Sequence, residues 1–128
     1  MHTVLFVDDE KMIRELFVAV LEINGFHVTT AANASEAIEK LGTGSFDVVV
    51  TDLRMEEPLS GFEVVNKVNT LSRRPPVVLL TAFPIPQSTW REAGADALLI
   101  KGTEIRTIVS TLNALLAKAE AARAHKTA

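Results

Sequence analysis

Apolar positions along the chain gather into five short runs, at residues 4–7, 26–29, 48–50, 77–80 and 97–100, and most of these runs are unbroken rather than alternating. An unbroken run of this length is what a strand buried on both faces requires. Between the runs the spacing becomes helical. Met12, Ile13, Leu16, Phe17, Val20 and Leu21 form one apolar stripe, with Gly25 placed to close the helix. Asn33 followed by Glu36 is a capping-box start for a helix carrying Ala37, Ile38 and Leu41 as far as Gly42. Phe62, Val65 and Val68 continue the pattern to Leu71, and Pro75 with Pro76 ends it. Ile105, Ile108, Val109, Leu112, Leu115 and Leu116 define the last helix.

Strand and helix thus alternate five times, which predicts one α/β domain: a five-stranded parallel sheet with right-handed crossovers and helices on both faces. The fourth helix is expected to be short. Pro84 and Pro86 follow the fourth strand, and only residues 87–93 remain before Gly94. Residues 1–118 read as the folded domain and 119–128, rich in Ala and Lys, as a tail that frays. No output domain is expected.

Composition narrows the chemistry. With 48% hydrophobic residues in 128 there is enough apolar surface for a core, and a net charge of −3 with scattered cations disfavours direct nucleic-acid binding. Cysteine is absent, so there is no thiolate metal site and no thiol nucleophile. The opening apolar run is too brief for a membrane span or a signal sequence, which predicts no membrane association and a cytoplasmic protein.

Ligands of an open α/β sheet bind beyond the carboxyl ends of its strands. Those ends carry Asp8, Asp9 and Glu10 after the first run, Thr51 and Asp52 after the third, Thr81 after the fourth and Lys101 after the fifth. Crowded carboxylates repel unless a cation joins them, and an oxygen-only donor set suits Mg²⁺ or Mn²⁺. A carboxylate beside such an ion is a competent nucleophile toward phosphorus, giving an aspartyl phosphate. The Lys101 ammonium and the Thr81 hydroxyl would each steady an oxygen of the transferred group, and no general base is needed for a nucleophile already ionised. No glycine-rich phosphate cradle is present, so the donor is not expected to be a nucleotide.

The ordered set Val7-Asp8-Asp9-Glu10, Asp52-Leu53-Arg54-Met55, Thr81-Ala82 and Gly94-Ala95-Asp96 leading to Lys101 resembles the receiver domain of response regulators, of the free-standing chemotaxis type. The resemblance implies a flavodoxin-like sheet of order 2-1-3-4-5. It implies that Asp52 is the phosphoacceptor, that Asp9, Asp52 and the Arg54 carbonyl ligate the metal, and that Asp8 assists through water. It further implies a histidine kinase or histidine phosphotransfer protein as donor and an unknown downstream protein as target. The chain itself would be a monomer or weak dimer, a phosphoprotein with self-catalysed transfer and slow autodephosphorylation rather than an enzyme.

Two positions and one loop depart from the family's pattern. Gly102 stands where proline usually follows the lysine through a cis bond, so a trans link is expected. Leu98 stands where Tyr or Phe is usual, and Met55-Glu56-Glu57-Pro58 lengthens the loop after Asp52. These changes predict a readout through the first helix or the loop after Thr81 instead of the usual dimer, and they leave a phosphorylation-independent interaction module as the alternative function. Other residues read as structural: His2, His27 and His125 as surface or strand-face positions, Phe83 and Trp90 as cover for the fourth helix, and the Arg73 and Arg74 pair as decoration of a solvated loop.

Overall fold

In this computed structural model, which describes residues 1–127, strand and helix alternate throughout. The order is β1 (His2–Val7), α1 (Lys11–Ile23), β2 (Phe26–Ala31), α2 (Ala34–Thr43), β3 (Val48–Asp52), α3 (Ser60–Asn69), β4 (Val77–Thr81), α4 (Gln87–Glu92), β5 (Ala97–Ile100) and α5 (Ile105–Thr127). The five strands form one parallel sheet in the order β2-β1-β3-β4-β5. Ala128 lies outside the described residues, as do the side chains from His125 onward.

The unbroken apolar runs have a direct structural cause. Alternate residues of a strand point to opposite faces, and both faces are covered. Leu5 and Val7 of β1, with Val49 and Leu79, meet Ala37, Leu41, Val64, Val65 and Val68 of α2 and α3. Val4 and Phe6, with Val50, Val78 and Leu80, meet Leu21 of α1 and Ile108, Leu112 and Leu116 of α5. Phe6 also stacks on Phe17, with ring centroids 4.4 Å apart and planes 14° from parallel. Truncating a fully buried aromatic such as Phe6 to Ala would cost about 3–5 kcal/mol, a large part of the stability of a domain this size.

Local signals set the element ends. Asn33 accepts from the Glu36 amide at 2.8 Å, so the capping start of α2 forms as its residues require. Gly25 closes α1 with a φ of +91°, a conformation only glycine adopts cheaply. Pro84 and Pro86 hold the start of α4 back to Gln87, with Pro86 as its N-cap, and none of the helix's residues is buried. Trp90 packs against the α2–α3 side of the core, whereas Phe83 is 67% exposed, contrary to its expected role as cover for α4. The helical backbone of α5 runs on through the alanine-rich segment to Thr127.

Candidate functional site

Parallel pairing brings the carboxyl ends of β1, β3, β4 and β5 to one edge, because Val7 pairs with Thr51, Asp52 with Leu80 and Thr81 with Ile100. Asp8 immediately follows β1 and is fully buried, its amide donating to the Ala31 carbonyl at 3.1 Å. Asp52 is the last residue of β3 and is 3% exposed. Lys101 immediately follows β5, where its amide donates to the Thr81 carbonyl at 2.7 Å. From that anchor its ammonium crosses β4 to donate to Asp52 Oδ2 at 2.9 Å, with Asp8 Oδ2 at 3.5 Å.

One ammonium therefore serves two buried carboxylates. Burial drives the Asp52 carboxyl above the ordinary aspartate range. The hydrogen bond and charge of Lys101 oppose that, the charge of Asp8 adds to it, and the Arg54 amide lowers it slightly. For Lys101, burial works against the ammonium, but the bond to Asp52 and the charges of Asp52 and Asp8 outweigh it and raise its pKa. A simple ion pair would lower its acid and raise its base. Both rise here because negative charge is in excess in a poorly hydrated place.

A divalent cation fits this arrangement. Asp8 Oδ1 accepts from the Glu10 amide at 2.9 Å, yet the buried Asp8 Oδ2 has no hydrogen-bond partner. Buried oxygens are rarely left so. One carboxylate oxygen each from Asp8, Asp9 and Glu10 lies within 4.8 Å of the others, with Asp9 and Glu10 exposed. These are hard oxygen donors without nitrogen or sulfur, the chemistry that suits Mg²⁺ or Mn²⁺. Neither Asp8 nor Asp9 caps α1: its N-cap is Glu10, and that side chain makes no capping bond.

The other expected site residues are placed as follows. Arg54 is exposed in the loop after β3. Thr81 is 2% exposed at the end of β4, but its hydroxyl donates to the Phe83 carbonyl at 3.1 Å and accepts from the Phe83 amide at 3.3 Å. It serves its own turn and makes no bond to Asp52. Thr51 donates to the Asp52 carbonyl at 3.0 Å and so braces the backbone of the acid. The Lys101–Gly102 bond is trans, as no cis bond occurs among the described residues, and Gly102 has a φ of +94°. Leu98 is half-buried against the α2–α3 side of the core.

Two supports of the loop after Asp52 were not anticipated from the sequence. Gly61 donates to the Leu53 carbonyl at 2.8 Å, and a Cβ there would meet the Asp52 carbonyl oxygen at 2.5 Å and Leu53 Cα at 2.7 Å. Only glycine lets α3 approach so closely; a glycine at the start of a helix was the available signal. Glu56 reaches the N-terminus of α2, where Oε1 accepts from the Ala34 amide at 3.2 Å. No spacing rule joins residues 22 apart on different elements.

Comparison with known proteins bears on this edge. Residues 4–113 match the response regulator receiver domain. The chain is 36% identical over 118 residues to the transcriptional regulatory protein CpxR homolog of Haemophilus influenzae, covering 91% of this chain and 51% of that protein. It is 35% identical to the probable transcriptional regulatory protein TcrX of Mycobacterium tuberculosis, covering 89% of this chain and 49% of that one. The chain thus spans about half the length of these curated relatives. Among solved structures, the response regulator TrrA of Thermotoga maritima, determined in complex with Mg(2+)-BeF, superposes with a TM-score of 0.80 at 31% identity, over 90% of this chain and 99% of that one. The chemotaxis response regulator CheY4 of Vibrio cholerae gives 0.80 at 33% identity, over 90% and 98%. A match over most of the chain, relatives above 30% identity at the level of sequence and the same sheet order in three dimensions converge, and the chain belongs to the response regulator receiver domain family of two-component systems.

Proposed function

We propose that this chain takes a phosphoryl group onto Asp52 from a phosphohistidine of a histidine kinase or phosphotransfer protein, and that the modified domain then changes its affinity for a downstream protein. The observation that carries the reading is the buried Asp52 carboxylate held 2.9 Å from the Lys101 ammonium, which also faces the Asp8 oxygen that accepts no hydrogen bond. An Asp52 carboxylate oxygen forms the new bond to phosphorus while the bond from phosphorus to the donor imidazole breaks and its electron pair returns to the ring nitrogen; with the other ring nitrogen protonated, the products are an acyl phosphate and a neutral histidine.

Lys101 moves from a carboxylate partner to a phosphoryl partner without leaving its place, since the group arrives on the oxygen set it already faces. Asp8, Asp9 and Asp52, with the Arg54 carbonyl, are the residues that would hold Mg²⁺ or Mn²⁺; bound there, the ion neutralises charge on the transferred phosphoryl oxygens. Thr81 must give up its donation to the Phe83 carbonyl before its hydroxyl can donate to the phosphoryl group, so occupation of Asp52 is coupled to the loop after β4. Leu98 lacks a ring to follow that movement, which favours readout through the loop after Thr81 or the exposed Met12 and Leu16 of α1. The same reading makes the chain a cytoplasmic switch or relay.

Borohydride reduction of acyl phosphate after incubation with a phosphohistidine donor, followed by peptide mapping, tests the acceptor. Homoserine at position 52 supports it. Homoserine elsewhere, or none, overturns it.

A further inference from the structure

A second cleft lies at the edge of the sheet opposite Asp52. It opens where Pro76 leads into β4 and Asp96 into β5, the strands whose other ends carry Thr81 and Lys101. Its volume is about 690 Å³, within the range of small-molecule sites. Five cationic side chains line it, Arg73, Arg74, Arg91, Lys118 and Arg123, against the one carboxylate of Asp96. In a chain of net charge −3 with 13 Lys and Arg, that concentration does not follow from composition. It arises because the loop before β4, α4 and α5 converge there.

The cleft is built, not a patch of solvated charge. Arg74 was expected to decorate a loop, yet it pairs with Asp96 Oδ2 at 2.9 Å and donates to the Gly94 carbonyl at 2.7 Å and to Asn69 Oδ1 at 2.6 Å. Asp96 Oδ2 also accepts from the Val77 amide at 2.8 Å, so this carboxylate is neutralised and tied to the sheet. Arg123 donates to the Arg74 carbonyl at 3.3 Å, and Arg91 lies over the Trp90 ring, 5.2 Å from its centroid. Asp47 is within electrostatic reach of Arg73 but does not line the cleft.

With the Arg74–Asp96 pair fixed, Arg73, Arg91, Lys118 and Arg123 surround a surface of Pro76, Ala95, Ala119 and Ala122. Small side chains there leave room for a flat apolar group, while guanidinium forks match phosphate oxygens. We propose that this cleft binds a small phosphorylated ligand of the nucleotide class, its ring against the alanines and its phosphates toward Arg73, Arg91 and Lys118. Cations set on three separate elements around one concave surface suit a compact ligand better than an extended acidic peptide. The site is independent of phosphorylation at Asp52.

Calorimetry and amide NMR of the full chain, in low salt without divalent ions, test this with ATP, GTP, AMP and inorganic triphosphate as probes. Saturable binding of a nucleoside triphosphate is expected at one site, with shifts at residues 73, 91 and 119 and about tenfold weaker binding of triphosphate alone. The Arg91→Ser, Lys118→Ser double variant, both positions exposed, is expected to weaken nucleotide binding about tenfold or more. Arg106→Ser, which removes an exposed cation of α5 outside the cleft, is expected to leave it unchanged. The proposal is overturned by no saturable binding, by equal binding of triphosphate and nucleotide, by equal effects of the two sets of substitutions, or by a polyglutamate peptide that binds where nucleotides do not.

Discussion

Lys101 donates to Asp52 across an intervening strand: the ammonium leaves the end of β5, passes β4 and reaches Asp52 Oδ2 on β3 at 2.9 Å. Because Asp8 Oδ2 is only 3.5 Å from the same ammonium, the edge holds more negative than positive charge in a buried place. Stability and reactivity there pull in opposite directions, and the first expectations concern that conflict.

Asp52→Asn removes one of two competing carboxylates while leaving an oxygen to accept from Lys101. In divalent-free buffer at neutral pH the variant should be more stable than the parent, by about 1 kcal/mol. Urea unfolding with and without Mg²⁺ checks this, since the ion should narrow the difference. A less stable variant without divalent ions would contradict the charge account.

Lys101→Met has the opposite sign. It leaves Asp8 and Asp52 facing each other without a counter-charge, and because the lysine side chain is 28% exposed the cost is set below that of a fully buried pair, at about 1–3 kcal/mol. The same urea titration measures it. Added Mg²⁺ should recover part of the loss.

Gly61 and Gly102 should respond to alanine for different reasons. At Gly61 the methyl group would press on the backbone of Asp52 and Leu53, neither of which can turn aside, and about 1–3 kcal/mol of overpacking is expected together with slower labelling of Asp52. At Gly102 nothing lies within 4 Å of the added carbon, so only the positive φ penalises alanine, by about 1–2 kcal/mol. Equal effects on labelling at the two positions would argue against Gly61 as a support of the acceptor.

Asp47 ties the start of β1 to the loop before β3, accepting from the Thr3 amide at 2.8 Å and the Thr3 hydroxyl at 3.1 Å. Burial alone would raise its carboxyl, but the two Thr3 bonds, with the charges of Arg73 and of His2 when protonated, together lower it. A lowered carboxyl contributes stability that is present above its unfolded value and is lost as pH falls through its folded value. Asp47→Ala should therefore cost about 1–2 kcal/mol at neutral pH and progressively less toward strong acid. Unfolding curves across that range supply the comparison.

The sheet and its helices could be read from the chain because each run of residues such as Val48, Val49 and Val50 is buried on both faces, so hydrophobicity reports the strand directly. The acidic edge was legible for a related reason: Asp8, Asp52 and Lys101 end or follow strands, and parallel pairing leaves no freedom about which edge they share. What sequence did not reveal depends on directions of side chains. The Thr81 hydroxyl turns into its own loop, Phe83 points to solvent, and Glu56 reaches across to α2. Arg74 looked like loop decoration because its partners Gly94 and Asp96 come from elsewhere in the fold.

The central claim is that Asp52 accepts the phosphoryl group, and intact-mass measurement after incubation with acetyl phosphate and Mg²⁺ tests it most directly. The account predicts one added phosphoryl group on the parent chain, none on Asp52→Asn, and loss of the adduct when the divalent ion is chelated. Equal labelling of the parent and Asp52→Asn, or no adduct on either, would contradict it.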